Sequence, residues 1–394
     1  MHVFACINQK GGCAKTTTAV NLSACLASFG KKVLLIDLDP QGHASLALGI
    51  PSEKIPKGMA SVLSQESSIE EILIKEPLPG LDLAPSNLHL AALEQQLSGV
   101  PGRQERLLSA FRRLQGSYDF ILIDAPPSLG LLSFNALRVA DEVLVPIDPS
   151  SFSLHGLSRL LETLDLLETR TGQAMKVWVL NSFYTRTRFA GEMLEMLNLC
   201  LAEPVSRRLG AQRCRTVIRN NVRLREAAHR GIPIIHYDPG ANGAKDYAAL
   251  AQEILEREVE ATQSVWETAA TSPTGPSVHL GGVLFTWMGS DEVAIAGDFN
   301  DWVPDRKVYS AQRHYEGGAR SLKWLPSTPS RSVYRLRING VWREDPFNPC
   351  TEACPFGGRN SVLEFHDSAL ASPSLLPPPA LGSEWSVEQA GDPT

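Results

Sequence analysis

The sequence has no run of about 18 apolar residues, the length that spans a bilayer as a helix, so an integral helical membrane protein is excluded. It shows no charged leader either. MHVFACINQ runs straight into a strand-like stretch, and the expected compartment is the cytosol. Cysteine is sparse and unpaired: Cys6, Cys13, Cys25, Cys200, Cys214, Cys350 and Cys354 are an odd number with no CxxC spacing, which argues against a disulfide framework or a zinc site. Cys350 and Cys354 read as loop residues. An excess of positive charge is missing too. The formal charge is -6, so any nucleic-acid contact has to come from a local patch of arginines rather than from the global field. Internal repeats are absent. What remains, 394 residues with 43% hydrophobic and 20% charged, describes a globular chain long enough for two domains.

Up to about residue 258, short apolar β-branched runs alternate with longer amphipathic stretches. The runs lie at residues 3–7, 33–36, 120–123, 143–147, 177–180 and 233–235. Near-continuously apolar strands alternating with helices predict an α/β fold with a mostly parallel sheet covered by helices on both faces. Residues 245–260 read as a closing helix. TAATSPTGPS then breaks the pattern with linker residues, and residues 278–366 change to short strands between turns, as in a small all-β immunoglobulin-like sandwich. The expected partition is 1–260, a linker at 261–277, a β-domain at 278–366 and a disordered tail at 367–394 rich in Pro, Ser, Leu and Gly.

The run Lys10-Gly11-Gly12-Cys13-Ala14-Lys15-Thr16-Thr17 follows the first strand and opens a helix. There a glycine-rich loop presents backbone N–H groups to phosphates at a helix N-terminus. Lys15 would reach the β and γ phosphates of ATP, and the Thr16 hydroxyl would ligate Mg²⁺. Ala14 stands where the general Walker A pattern has glycine; alanine is small enough for the loop but disfavours positive φ. Asp37 ends the strand VLLI and Asp124 ends the strand FILI, so both project into the crevice at the carboxyl edge of the sheet. Asp124 is the candidate for Mg²⁺ coordination through water, with Asp37 beside it, and Asp39 is the candidate to orient the attacking water.

Lys10, the run KTTTAVNLSACLA, and the blocks DLDPQGHAS and DAPPSLGLLSFNAL resemble the deviant Walker A, A′ and B motifs of the ParA/Soj/MinD family. The resemblance extends over residues 1–258 and includes TVIRNNVRLREAAHRGIPIIHYDPGANGAKDY. It implies an ATP hydrolase in which Lys10 crosses to the phosphates of a second copy, ATP glues a homodimer together, and a ParB-type partner stimulates slow hydrolysis. It also implies the DNA-binding branch rather than the membrane-binding one, because the helix after Asp246 continues into a linker and further domain. Arg186 and Arg223 fall where Soj-like proteins carry arginines for nonspecific double-stranded DNA, and Arg188, Arg215, Arg219 and Arg225 could widen that patch. The alternative is a set of solvated or salt-bridged arginines. Two positions depart from the family pattern: Arg219 replaces the usual proline, and Tyr184 replaces a common aspartate.

Residues 278–366 resemble the glycogen-binding module of the AMP-activated protein kinase β subunit and the related family 48 carbohydrate-binding modules, through VLFTWMGSDEVAIAGDFNDW, YRLRINGVWREDP and GGRNSVLEF. Indoles stack on the apolar faces of sugar rings while charged or amide groups bond the hydroxyls. The resemblance places Trp302, Arg335, Trp342 and Asn360 in the α-glucan site; Trp287 and Trp324 read as core residues, since β-sandwich cores use tryptophan freely. It leaves open a module kept only for protein contacts. Two functions are therefore expected to compete. One is a nucleoid-associated positioning ATPase linked to DNA or to a polysaccharide-associated cargo. The other is an ATPase whose β-module senses sugar or binds protein without a partition role. A metabolic ligase-like or reductase-like enzyme is set aside, because Cys6, Cys13 and Cys25 all belong to the first strand, loop and helix.

Overall fold

The computed structural model describes residues 2–111, 113–114, 118–171, 175–271, 274–279, 282–289, 291–300, 302, 304, 309–315, 318–325, 331–354 and 358–364. The chain forms two compact units, residues 1–255 and 256–394.

The first unit is built on strands β1 (His2–Cys6), β2 (Val33–Asp37), β3 (Ile74–Leu78), β4 (Leu81–Ala84), β5 (Phe120–Asp124), β6 (Glu142–Ile147), β7 (Lys176–Tyr184) and β8 (Gln212–Arg219). They form one sheet in the order β3-β4-β2-β5-β1-β6-β7-β8. Every pairing is parallel except that of β3 with β4. The continuous apolar runs follow from burial on both faces. Val3, Ala5, Leu34, Ile36, Ile121 and Ile123 enter one apolar cluster with the helix Ser151–Thr171. The alternate residues Phe4, Cys6, Val33, Leu35, Phe120 and Leu122 enter the other, with the helices Lys15–Ser28 and Asn242–Thr271. An α/β sheet with helices on both faces is therefore what the strand pattern called for.

One predicted strand is corrected and three strands are added. Residues 233–235 are not a strand: Pro233 caps the short helix Ile234–Tyr237, and the Ile234 amide donates to Asn21 Oδ1 at 2.7 Å. The outer strand is instead β8, QRCRTVIR, and β3 and β4 add a hairpin at the other edge. As an edge strand β8 keeps polar residues among its apolar ones, so it lacks the unbroken apolar run that marks the central strands. Pro77 is tolerated within β3 for the same reason.

One close approach ties the helix Val222–Arg230 to the segment that follows β2. Gly231 has φ +68, and a Cβ there would sit 2.6 Å from Gly49 Cα and 2.8 Å from Gly49 N. Backbone blocks backbone at this point, so no rotamer change relieves the clash. Gly231→Ala is expected to cost about 2–4 kcal/mol in denaturant unfolding, with the slope unchanged.

The second unit contains β9 (Gly275–His279), β10 (Gly282–Met288), β11 (Val293–Gly297), β12 (Tyr309–Tyr315), β13 (Gly318–Leu325), β14 (Arg331–Ile338), β15 (Val341–Arg343), β16 (Thr351–Ala353) and β17 (Arg359–Glu364). One antiparallel sheet runs β12-β13-β10-β9 and the other β11-β14-β17-β16, with β15 beside β14. Val283 and Phe285 of the first sheet share an apolar cluster with Ile295, Tyr334, Leu336, Ile338 and Leu363 of the second. Trp287, expected in the core, is half-buried against it and meets Phe347 edge-on. The helix Asn242–Thr271 occupies the first part of the segment read as linker. The tail at 367–394 and the Trp324 side chain lie outside the described residues.

Candidate functional site

The loop at residues 7–14 leaves β1 and enters the helix Lys15–Ser28 in the conformation the phosphate-loop pattern demands. Gly12 has φ +75 and Ala14 has φ 73, ψ 25. Ala14 thus takes the left-handed conformation usual for glycine, at about 1–2 kcal/mol for a residue with a Cβ. No side chain caps the helix and its first turn holds no acid, so its leading N–H groups and positive dipole end face the loop.

The adjacent strands β2 and β5 bring the carboxylates together, because Asp37 is the register partner of Asp124. Both are fully buried. Asp124 Oδ2 accepts the Thr16 hydroxyl at 2.7 Å, while its Oδ1 is buried without a partner. Asp37 is fully engaged. Its Oδ2 accepts both the amide and the hydroxyl of Ser45 at 2.8 Å, and its Oδ1 accepts the Asp39 amide at 3.2 Å. Asp39 in turn accepts the Gln41 amide at 2.9 Å, which fixes the turn. Burial pushes the Asp37 carboxyl up to about 6, against the bonds from Ser45. Burial and then the Asp37 charge push Asp124 well above the carboxylate range.

A raised carboxyl pKa destabilises the fold as pH increases. The cost is absent below the unfolded value near 3.8, grows from there to about 6 for Asp37 and is complete above that, and Asp124 adds a cost of the same sign. These two carboxyls are therefore expected to lower the melting temperature of the nucleotide-free protein as pH rises from about 4 to about 6. Asp124→Asn should flatten that dependence in a thermal melt.

Lys15 is buried, and its Nζ donates to the Lys10 carbonyl at 3.3 Å. Cys13 is buried in the loop, with its thiol donating to the same carbonyl. The Lys10 ammonium lies 2.6 Å from Asp148 Oδ2 and 3.3 Å from the hydroxyls of Ser150 and Ser153. The structure thus gathers Lys10, Gly11, Gly12, Cys13, Ala14, Lys15, Thr16, Asp37 and Asp124 about one crevice edge, with Asp39 on the following turn. Ser45 and Asp148 were missed from sequence. For Asp148 the signal was present, because it follows the apolar strand β6 as Asp37 and Asp124 close theirs. Ser45 carries no spacing rule that points to it. Among the described residues no group of three or more His, Cys, Asp or Glu could hold a metal by itself.

The arginines divide. Arg186 is exposed and has no ion-pair partner among the described residues, whereas Arg223 lies 2.7 Å from Glu226 and 3.6 Å from Asp238. Arg219 grips Asp246 in a bidentate pair, with a closest contact of 2.6 Å, so it is a brace rather than part of a free basic patch.

In the second unit, Tyr334, Leu336 and Ile338 of β14 face the core, which turns Arg335 and Arg337 to the opposite face. Trp342 pairs with Arg337 there, and Asn360 is next to the Tyr334–Ser361 pair. Arg335, Trp342 and Asn360 therefore share one outer face. The Arg335 Nε and the Asn360 Oδ1 are buried without partners, and Trp342 and Trp302 are exposed. Trp302 is held by its amide to the Gly297 carbonyl at 2.9 Å.

An AAA domain family model matches residues 1–177. The chain is 38% identical over 254 residues to the sporulation initiation inhibitor protein Soj of Bacillus subtilis (strain 168), covering 64% of this chain and 97% of Soj. The chain belongs to the ParA/Soj family of P-loop ATPases. It is also 39% identical over 259 residues to the chromosome partitioning protein ParA of Myxococcus xanthus (strain DK1622), covering 65% of this chain and 89% of that protein. Among solved structures, cobyrinic acid a,c-diamide synthase from Mycobacterium smegmatis, with a bound ATP analog and magnesium, superposes with TM-score 0.54 at 29% identity, over 65% of this chain and 94% of that one. The match to Soj spans 254 residues, about the length of the first unit. None of these comparisons extends to a glycogen-binding module in the second unit. No helix among the described residues is long and apolar enough to cross a membrane.

Proposed function

We propose that this protein is a ParA-type ATPase that binds Mg-ATP, joins a second copy around the nucleotides, holds double-stranded DNA nonspecifically and releases it on hydrolysis, positioning a cargo. The observation that carries the reading is the Thr16–Asp124 contact beside Asp124 Oδ1, a buried acceptor without a partner, at the end of a loop held in the phosphate-binding conformation.

The residues present fit a nucleotide-bound magnesium ion. Thr16 offers a hydroxyl and Asp124 an unused buried oxygen, while the phosphates supply the remaining ligands. When bound, the ion offsets charge on the β and γ phosphates. Asp37, with its oxygens engaged by Ser45 and the Asp39 amide, anchors the turn that carries Asp39. The Asp39 carboxylate orients a water in line with the γ phosphorus; that water attacks, the bond to the ADP oxygen breaks, and ADP and phosphate leave. Lys15 gives up the Lys10 carbonyl and takes the β and γ phosphates, while the Gly11–Thr17 loop cradles them. Lys10 reaches the partner copy's phosphates. Arg186 and Arg223 contact DNA phosphates, which places the protein on the nucleoid in the cytoplasm, and a ParB-type partner stimulates hydrolysis.

The second unit, with 278–366 read as a glycogen-binding-type module, supplies an α-glucan contact. Trp302 and Trp342 would stack on sugar rings, and the unpartnered Arg335 and Asn360 would bond hydroxyls. The cargo would then be a polysaccharide-associated particle rather than a chromosome or plasmid alone. Amylose co-sedimentation tests this: Trp342→Ala is expected to weaken binding about tenfold, the loss of one stacking contact of roughly 1–3 kcal/mol. Full-length protein that fails to pellet with amylose would leave the β-module as a protein-interaction domain.

A further inference from the structure

Two arginines of the second unit carry charge that their sheet leaves unanswered. Arg331, Arg335 and Arg337 share one parity along β14, on the face away from the apolar cluster. Arg331 meets carboxylates: its register partner is Glu364, and its guanidinium pairs with Glu352 of β16. Arg335 and Arg337 do not. Their register partners in β11 are Ala296 and Ala294, and on its other side Arg337 faces Trp342 of β15. Neither guanidinium has an ion-pair or hydrogen-bond partner among the described residues, and the Arg335 Nε is buried. An opposite charge directly across is the stabilising arrangement on a sheet surface, and here an alanine takes that place twice.

The surroundings suit a bound group. Gly358, at φ +78, leaves space for the Arg335 fork, since a Cβ there would sit 3.3 Å from Arg335 Nη2. On the same face Asn360 is 4% exposed with its Oδ1 unpartnered, and Trp342 is 39% exposed. A buried polar atom left open in this way is satisfied when a ligand supplies the other half of the bond. Sugar hydroxyls supply acceptors but no charge. With Arg331 spent on Glu352, the face keeps two unpaired guanidiniums on residues about 7 Å apart along the strand. A phosphate monoester answers both needs, with negative charge and acceptor oxygens that match planar guanidinium forks. We propose that this face recognises phosphate monoesters carried on α-glucan. Trp342 stacks on a sugar ring, its register partner Arg337 bonds the phosphate on that ring, and Arg335 bridges the phosphate to the hydroxyl held by Asn360. The proposal rests on the reading of the second unit as a glucan-binding module and adds its substrate class, phosphorylated rather than neutral polymer. A soluble hexose phosphate shares this chemistry, and competition separates the two.

The test is affinity electrophoresis of the full chain in ADP, through gels containing phosphate-bearing amylopectin or the same polymer after phosphatase treatment. The phosphorylated polymer is expected to bind about threefold to tenfold more tightly, and the difference should shrink as salt is raised. Arg337→Gln should bring the ratio of the two affinities to about one, whereas Trp342→Ala should weaken binding to both polymers. Equal retardation of the wild-type protein in the two gels overturns phosphate recognition while leaving the glucan reading intact. No retardation in either gel removes the glucan reading, and the proposal falls with it. Glucose 6-phosphate added as competitor assigns the source: displacement at the phosphate concentration of the polymer points to soluble hexose phosphates and overturns the polymer, while retention of the complex supports it. Displacement by duplex DNA at equal phosphate concentration would make the arginine pair a general polyanion surface and overturn the proposal.

Discussion

Lys15→Ala is expected to lower ATP hydrolysis by at least about a hundredfold, the scale seen when one preorganised cation or donor is removed from a charged transition state. The loss should appear in kcat as well as in KM, because the ammonium meets charge that grows on the transferring phosphoryl group. Its position supports a strong effect. Lys15 is buried and rests only 3.3 Å from a backbone carbonyl, a neutral partner that a phosphate readily outbids. The change should leave the fold intact, because what it removes is one part-buried side-chain bond to that carbonyl and no ion pair. Far-UV circular dichroism together with a phosphate-release assay would separate the two effects. Near wild-type turnover in the variant would mean the loop is a structural turn.

The second large effect concerns DNA. In the proposed dimer each copy would supply Arg186 once, so Arg186→Ala would remove two phosphate contacts and should reduce the slope of log affinity against log salt by about 1.8. Arg223→Ala should do less. Arg223 must first leave Glu226 and Asp238, at 2.7 and 3.6 Å, whereas Arg186 is exposed and has no such competitor. A fluorescence-anisotropy titration of a labelled duplex between low and physiological salt measures both slopes. If neither variant alters the slope, these arginines are solvated surface and DNA contact lies elsewhere or is absent.

The sequence revealed the centre of the fold better than its edges, for a physical reason. The central strands are buried on both faces, so residues such as Val33, Leu34, Leu35 and Ile36 form unbroken apolar runs that report the sheet directly. At the edges β8 and β3 retain polar residues and even proline, and a short apolar run at residues 233–235 belongs to a helix start. The site was legible wherever chemistry lies along the chain: the loop, the strand-ending Asp37 and Asp124, and Lys10. It was less legible where partners meet across the chain. Asp246, 27 residues from Arg219, decides that Arg219 braces the fold. Ser45 decides that Asp37 anchors a turn, and Asp148 decides where Lys10 rests. Ala14 shows the opposite case, in which the sequence argued against positive φ and the loop imposes it.

The central claim is a nucleotide-gated DNA contact, and the most direct measurement is co-sedimentation of the purified chain with double-stranded DNA in ATP and in ADP at physiological salt. The account predicts that wild-type protein pellets with DNA in ATP, stays in the supernatant in ADP, and loses the ATP-dependent fraction in Lys15→Ala. Equal pelleting in both nucleotides, or none in either at low salt, would contradict it.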